Sequence, residues 1–533
     1  MTEPNEHELG TIVPFFDRGY YLSRYPDVAS ANVDPVWHYC AIGWKEGRDP
    51  SAAFDTSYYL RENRDVAAAG INPFVHYIGS GRNEDRKPVP EMAGMRRQLL
   101  NAWSAAADRF GAERGEPVLG VSRELDVHTL VAALSSSAKN REFVISVSHD
   151  DYVLSVGGIQ NIIGDELAEF RNRGIGYLHL CSARPIRWLA DASSGDDFVF
   201  ALRLDGEALG RANGATLQQA LKRLAANGSR GMWVIHHLMS HSPELIEKLI
   251  GANSARQPLF WTHDYFALCP SYTLLRNDTS YCGAPPVSST ACEICAYGKE
   301  RPVHQERIQA FLRAVRPSLV APSQSALELW CRAGGVEVPH KHVLQPARLA
   351  QSDRMWAEAS RPRLRIAYLG SQVFHKGWDI YQRLAEAFQT DERYEFFQLG
   401  TPGATPSFIH HIPVKVGASG RDAMVHAIAR QDIDVVVCWS IWPETFCFTA
   451  HEAMAGGAFV VARRGQGHVN AAIHAHAPAA SRNVDDEEEL QRYFRSGEAL
   501  IDVARSSRRH GCLVPSQGSA ELLYPVFEGE VQA

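Results

Sequence analysis

From residue 141 to about 515 the chain alternates short apolar runs with amphipathic stretches. In the first half the runs 141–148, 176–180, 198–202, 232–235 and 258–262 have strand length. Between the first two, Ile162, Ile163, Leu167 and Phe170 recur at helical spacing, and Arg173-Gly174 closes that stretch. The second half repeats the scheme. Run 364–369 ends at Gly370 and leads to a helix over 379–388, while 433–438 and 458–462 frame an Ala/Met-rich helical segment. Strands that alternate with helices predict βαβ units and parallel sheets, hence an α/β chain with two successive domains, 141–345 and 346–515. Residues 91–140, rich in Ala, Arg, Leu and Ser, read as a helical connector, and 516–533 as a loosely packed tail.

Residues 1–90 follow a different rule. Phe16-Asp-Arg-Gly-Tyr-Tyr-Leu22 returns as Phe54-Asp-Thr-Ser-Tyr-Tyr-Leu60, and His38-Tyr39 and Gly43 return as His76-Tyr77 and Gly81, a period of 38 residues. Each copy reads as two short helices that bury their faces by stacking. Asp17 and Asp55 are candidate N-caps, and Asp34-Pro35 and Asn72-Pro73 combine a cap with a proline at the first helical position. Gly43 and Gly81 fall where helices stop. The Tyr-Tyr and His-Tyr pairs suit an aromatic core better than a carbohydrate-stacking face.

The chemistry concentrates after run 433–438. Glu444 and Glu452 stand eight residues apart, the first on a loop, the second one turn into a helix. Both fall at the carboxyl end of a strand, where open α/β sheets bind ligands. A helix carboxylate there can accept from both hydroxyls of a ribose, and the loop carboxylate from hydroxyls of a sugar. The backbone of Thr445, Phe446 and Cys447 opens the helix, whose free N–H groups suit an anion such as a diphosphate. In the preceding unit Gly370, Lys376 and Gly377 form a strand-glycine-loop-lysine arrangement that lets backbone and ammonium approach a diphosphate. Gly157 and Gly158 sit between a strand and a helix, where a backbone must pass close to a ligand or simply turn. Histidines His236, His237 and His263 directly follow strand runs.

This combination resembles the family-4 type (group 1) retaining glycosyltransferases of the GT-B fold, in which two Rossmann-like domains face a cleft. The resemblance covers about 141–515 and rests on Glu444, Glu452, Lys376-Gly377 and Gly157-Gly158. It implies that Glu452 binds the nucleotide ribose, Glu444 the donor sugar and Lys376 the diphosphate. Gly157, Gly158 and His237 would meet acceptor and phosphates, and His263 the transferring sugar, with retention and without a divalent metal. The family's arginine after the strand glycine is Ser371 here. The short N-terminal repeats resemble those appended to bacterial surface-polysaccharide (O-antigen) glycosyltransferases, and 439–446 resembles rhamnosyltransferases. The expected partners are a nucleotide-sugar donor and a glycan or lipid-linked acceptor. The alternatives are a GT-B epimerase or hydrolase, or a catalytically weak scaffold that binds through its repeats.

Composition narrows the picture further. A 533-residue chain with 45% hydrophobic residues has core enough for two domains and a small module. Net charge −7 without a long basic block argues against nucleic acid. No run of eighteen apolar residues occurs and the first residues are not those of a signal peptide, so a cytoplasmic protein is expected. Arginines at 361, 363, 365, 505, 508 and 509 leave peripheral contact with the inner membrane face open, with a solvated face as the plainer reading. Asp432 and Asp434 have metal-binding spacing but open a strand and read as surface. Cys269, Cys282, Cys292 and Cys295, in an insertion at 269–295, read either as a structural zinc site or as buried free thiols.

Overall fold

The computed structural model describes residues 6–524 apart from 32, 52, 90–122, 138–141, 156, 356–362, 402, 404 and 416–419. Most of the expected connector, Arg361 and residues 525–533 lie outside the described residues. The chain divides into two compact units, Met1–Ala105 with Leu268–Glu306, and Ala106–Ala267 with Arg307–Ala533.

In the first unit the two sequence copies fold alike, each into three short helices and a wide terminal turn rather than two helices. Arg18–Arg24, Pro26–Ser30 and Pro35–His38 lead into the π-turn Tyr39–Gly43, and Thr56–Glu62, Arg64–Ala69 and Pro73–His76 into Tyr77–Gly81. The caps sit where the sequence puts them: Asp17 accepts from Tyr20 N, Asp55 from Tyr58 N, Asp34 from Val36 N and Trp37 N, and Asn72 from Phe74 N and Val75 N. Tyr21, Tyr39 and Tyr59 are fully buried with Phe16, Phe54 and Phe74 as an aromatic core. Gly43 and Gly81 are not left-handed stops. A Cβ at either would stand 2.2 Å from a tyrosine hydroxyl, Tyr21 or Tyr59, and that hydroxyl bonds the histidine Nδ1 of the same copy at 2.9 or 3.0 Å. The recurring Tyr, His and Gly are thus one packing unit.

The cysteine insertion belongs to this unit, not to the first α/β domain as its place in the sequence suggests. Two polar anchors explain the difference. Ser289 and Thr290 hydroxyls donate to Asp17 Oδ2 at 3.0 and 2.5 Å, and Arg24 donates to the Tyr281 carbonyl at 3.4 Å.

The second unit holds two sheets. The first consists of β1 (Glu142–Val147), β2 (Gly176–Ser182), β3 (Val199–Leu204), β4 (Glu207–Asn213), β5 (Arg230–Ile235) and β6 (Leu259–Trp261), continued by strands beyond the insertion, whose own hairpin is β7 (Leu275–Arg276) and β8 (Ser280–Tyr281). Those strands are β9 (Ser318–Ala321) and β10 (Lys341–Val343), and the order is β10-β9-β6-β5-β1-β2-β3-β4. All pairs are parallel except the β3–β4 hairpin and its seam with β2. After β11 (Ala347–Met355), the second sheet comprises β12 (Leu364–Leu369), β13 (Tyr394–Gly400), β14 (Ile409–Pro413), β15 (Val435–Cys438), β16 (Phe459–Arg463) and β17 (Ser481–Val484). It is wholly parallel, in the order β14-β13-β12-β15-β16-β17. The chain is α/β with two Rossmann-like lobes.

Three readings are corrected here. The described part of the stretch expected as a tail, 516–524, is docked. β18 (Arg509–Pro515) pairs antiparallel with β11, and Ser519, Ala520 and Leu523 are buried against the first sheet, where Trp261 Nε1 donates to Ser519 Oγ at 2.8 Å. Arg508 is buried rather than solvated, and it pairs with Asp434 Oδ1 at 3.4 Å. Asp434 is therefore an internal anchor rather than a surface residue, and it also accepts from Arg365 N. No helix among the described residues is long and apolar enough to cross a membrane.

Candidate active site

The loops after β12 and β15 lock together at the carboxyl edge of the second sheet. Gly370 (φ +93°) and Gly377 (φ +83°) are left-handed, a conformation that costs residues with a Cβ. A Cβ on Gly377 would stand 2.1 Å from the Trp439 carbonyl, so the glycine admits close approach of the two loops. Ile441 N and Ser440 Oγ then donate to the His375 carbonyl. The result puts Lys376 Nζ 2.7 Å from Glu444 Oε2, with Glu444 only 2% exposed. Glu444 is held from both sides, since its N–H donates to Gln466 O and its carbonyl accepts from His468 N.

Helix Phe448–Ala455 begins four residues later and no side chain caps it. Cys447 occupies the N-cap, and burial pushes its thiol up to about 12, with Glu444 adding to the shift. Phe446 stacks on His451 and His468 at 4.5 and 5.0 Å between ring centres. Glu452 is 5% exposed, and among the described residues nothing hydrogen-bonds its carboxyl. Burial raises it from 4.5 to about 7; Arg421 opposes the shift and Asp422 adds to it.

The first lobe meets these loops. The Thr445 hydroxyl donates to the His263 carbonyl, and Tyr265 Oη donates to the Pro443 carbonyl at 2.9 Å. A Cβ on Gly158 would stand 3.3 Å from Phe448 Cε2, so the Gly157-Gly158 turn lies at the mouth of the Glu452 helix. Gly157 is extended (φ 175°) and heads the helix Gly158–Asn172. Arg421 spans the lobes from the other side, with its guanidinium on the Asn161 carbonyl and 2.5 Å from Asp165 Oδ1. Glu444, Lys376, Gly377, Thr445, His263, Gly158 and Glu452 are therefore brought to one junction.

His237 is placed differently. Met239 N donates to its Nδ1 at 3.0 Å, which leaves Nε2–H to bond Asp264 Oδ2 at 3.0 Å, so both ring nitrogens are occupied. The four cysteines line one small cavity of the first unit with Arg276 and Arg301. Burial pushes the Cys269 and Cys282 thiols up to about 12 and 11. Arg301 Nη1 sits 2.9 Å from Cys292 Sγ, and among the described residues no three His, Cys, Asp or Glu are placed to hold a metal ion.

Comparison with known proteins gives structural likeness alone. No protein-family model matches the chain, and no curated protein does. Among solved structures, Anabaena Alr3699/HepE in complex with UDP-glucose is 12% identical over 68% of this chain and 92% of its own, with a TM-score of 0.42. A glycosyltransferase from Rickettsia africae is 12% identical over 69% and 91%, with a TM-score of 0.42. WaaG, a glycosyltransferase involved in lipopolysaccharide biosynthesis, is 12% identical over 68% and 94%, with a TM-score of 0.41. These are resemblances of architecture.

Two features of the site escaped the sequence reading. Arg421 follows a glycine in a polar loop, and nothing in its neighbourhood marks it. Glu166 did carry a signal, for it interrupts the apolar stripe of Ile162, Ile163, Leu167 and Phe170 on the helix Gly158–Asn172 and is fully buried.

Proposed function

We propose that the chain is a retaining, metal-independent glycosyltransferase of the GT-B type. It would transfer a sugar from a nucleoside diphosphate donor to a glycan or lipid-linked acceptor in bacterial surface-polysaccharide synthesis, in the cytoplasm or at the inner membrane face. The observation that carries this is Glu452. A buried carboxyl without a partner is costly, and it persists where a ligand supplies the missing hydrogen bonds. A ribose offers two adjacent hydroxyls to one carboxylate. The uncapped N-terminus of the same helix offers N–H groups to the diphosphate attached to that ribose.

The remaining residues fall into roles around it. Lys376 neutralises Glu444 in the free chain; a donor diphosphate would take the ammonium and free Glu444 to hold sugar hydroxyls. His263 would contact the transferring sugar, while Gly157-Gly158 would admit the acceptor. In the front-face displacement this supports, the bond from the anomeric carbon to the diphosphate oxygen breaks as the acceptor oxygen bonds the same face. The departing diphosphate takes the acceptor's proton. The protein then contributes positioning and charge.

A thermal-shift screen against UDP, GDP and dTDP sugars, dTDP-rhamnose included, tests the donor site. The expected result is a rise in melting temperature with one diphosphate family, abolished in Glu452→Ala and reduced in Lys376→Ala. No rise with any donor, or a rise that survives Glu452→Ala, overturns the assignment.

A further inference from the structure

Behind His263 lies a chain of hydrogen bonds that no step above uses. His263 Nε2 is 2.9 Å from His236 Nδ1, and His236 Nε2 is 3.2 Å from Glu166 Oε2. Tyr177 Oη donates to the same oxygen at 3.3 Å. The other oxygen, Oε1, accepts from the Ser519 N–H at 2.8 Å and from its hydroxyl at 2.5 Å. That hydroxyl in turn accepts from Trp261 Nε1 at 2.8 Å. Trp261 and the two imidazoles are stacked, with interplanar angles of 9° for Trp261–His263 and 11° for His236–His263.

The direction of every bond follows from which groups can only donate. A tryptophan N–H and a backbone N–H have no acceptor capacity, so the Ser519 hydroxyl points its proton at Glu166, and Oε1 accepts twice. With the carboxylate accepting throughout, a neutral His236 carries its proton on Nε2. Its Nδ1 is then a lone pair, which obliges His263 to carry its proton on Nε2. One nitrogen of His263 is left, Nδ1, and it can only accept. Burial, with His236 adding, holds His263 well below its ordinary value, so the ring is neutral and this assignment persists at neutral pH.

We propose that Glu166, fixed by Ser519 of the returning C-terminal segment, sets the tautomer of His263 through His236, so that His263 presents an unprotonated Nδ1 as a hydrogen-bond acceptor for a sugar hydroxyl. Glu166, His236 and Ser519 are positioning residues. The role of the sugar hydroxyl rests on the function proposed above; the tautomer does not.

The isosteric change Glu166→Gln makes the point testable. Ser519 N–H cannot reverse, so the amide oxygen must face it and the amide NH2 must face His236. His236 then accepts on Nε2 and donates from Nδ1, and His263 is driven to carry its proton on Nδ1. Nitrogen-15 correlation spectra of the histidines in the free full-length protein, assigned with a His263→Asn variant, read this directly. The expected result is His263 protonated on Nε2 in the wild type and on Nδ1 in Glu166→Gln, with kcat lowered about tenfold or more and the donor KM within about twofold. A wild-type His263 protonated on Nδ1 overturns the inference, as does a folded Glu166→Gln protein with an unchanged His263. If Glu166→Gln does not fold, the wild-type spectrum still decides. A chain with the expected tautomer and no transfer activity overturns the proposed function while supporting this inference.

Discussion

Glu452 is the residue whose energetics and chemistry pull apart. Its carboxyl keeps a proton in the folded chain up to about pH 7, but in the unfolded chain only up to its ordinary 4.5. The folded state therefore binds more protons between those values, and stability falls as pH rises through that window. Ionised Glu452 costs about 3 kcal/mol above pH 7, by the conversion of a pKa difference to free energy. Glu452→Gln is expected to melt higher than the wild type at pH 8 and equally at pH 5, while losing the donor-induced shift. A Glu452→Gln protein no more stable than the wild type at pH 8 would contradict the burial argument. A site that is costly when empty is the usual mark of a binding residue. The sequence showed Glu452 because its motif is local, eight residues and one helix start. It did not show Arg421, because that side chain reaches the site across two lobes and leaves no periodic trace.

Short elements carry most of the evidence in the first unit. The two copies supply an internal control, since Asp17 and Asp55 cap equivalent helices through one bond each, to Tyr20 N and Tyr58 N. Only Asp17 also takes the Ser289 and Thr290 hydroxyls. Asp55→Ala is expected to cost about 1 kcal/mol as a lost cap. Asp17→Ala should cost about 2–3 kcal/mol, because two further bonds at roughly 1 kcal/mol each go with it. Native-state hydrogen exchange in Arg18–Arg24 and Thr56–Glu62 measures the two opening energies separately, and equal losses would contradict the docking of the insertion. Strands and caps were legible because apolar runs and Asp-x-x patterns are written within a few residues. The β3–β4 hairpin was only half legible: β4 (Glu207–Asn213) has mostly partly exposed positions and lacks an apolar run. Its turn is carried by Asp205 and Gly206, both at positive φ.

At the scale of the whole chain, distant segments complete each other's interiors. Residues 516–524 close the first lobe, and their removal would leave Glu166 and Trp261 without their Ser519 partners and expose the groove of Ala520 and Leu523. A chain ending at Pro515 is expected to lose about 3 kcal/mol or more of the second unit's stability, from orphaned buried groups and a lost apolar contact. Its melting temperature checks this, and an unchanged value would show the segment to be dispensable. No sequence pattern announced this contact, because four apolar residues near a chain end look the same docked or free.

The division of the first unit between Met1–Ala105 and Leu268–Glu306 also imposes an order on the making of the protein. The repeats leave the ribosome before the insertion, which takes up the second oxygen of Asp17 only after some 160 further residues. At roughly 5–20 residues per second that is about ten to thirty seconds of synthesis. During that interval the Asp17 side of the repeats is an open, half-finished surface, and the nascent chain carries a vacancy that only its own later sequence can fill.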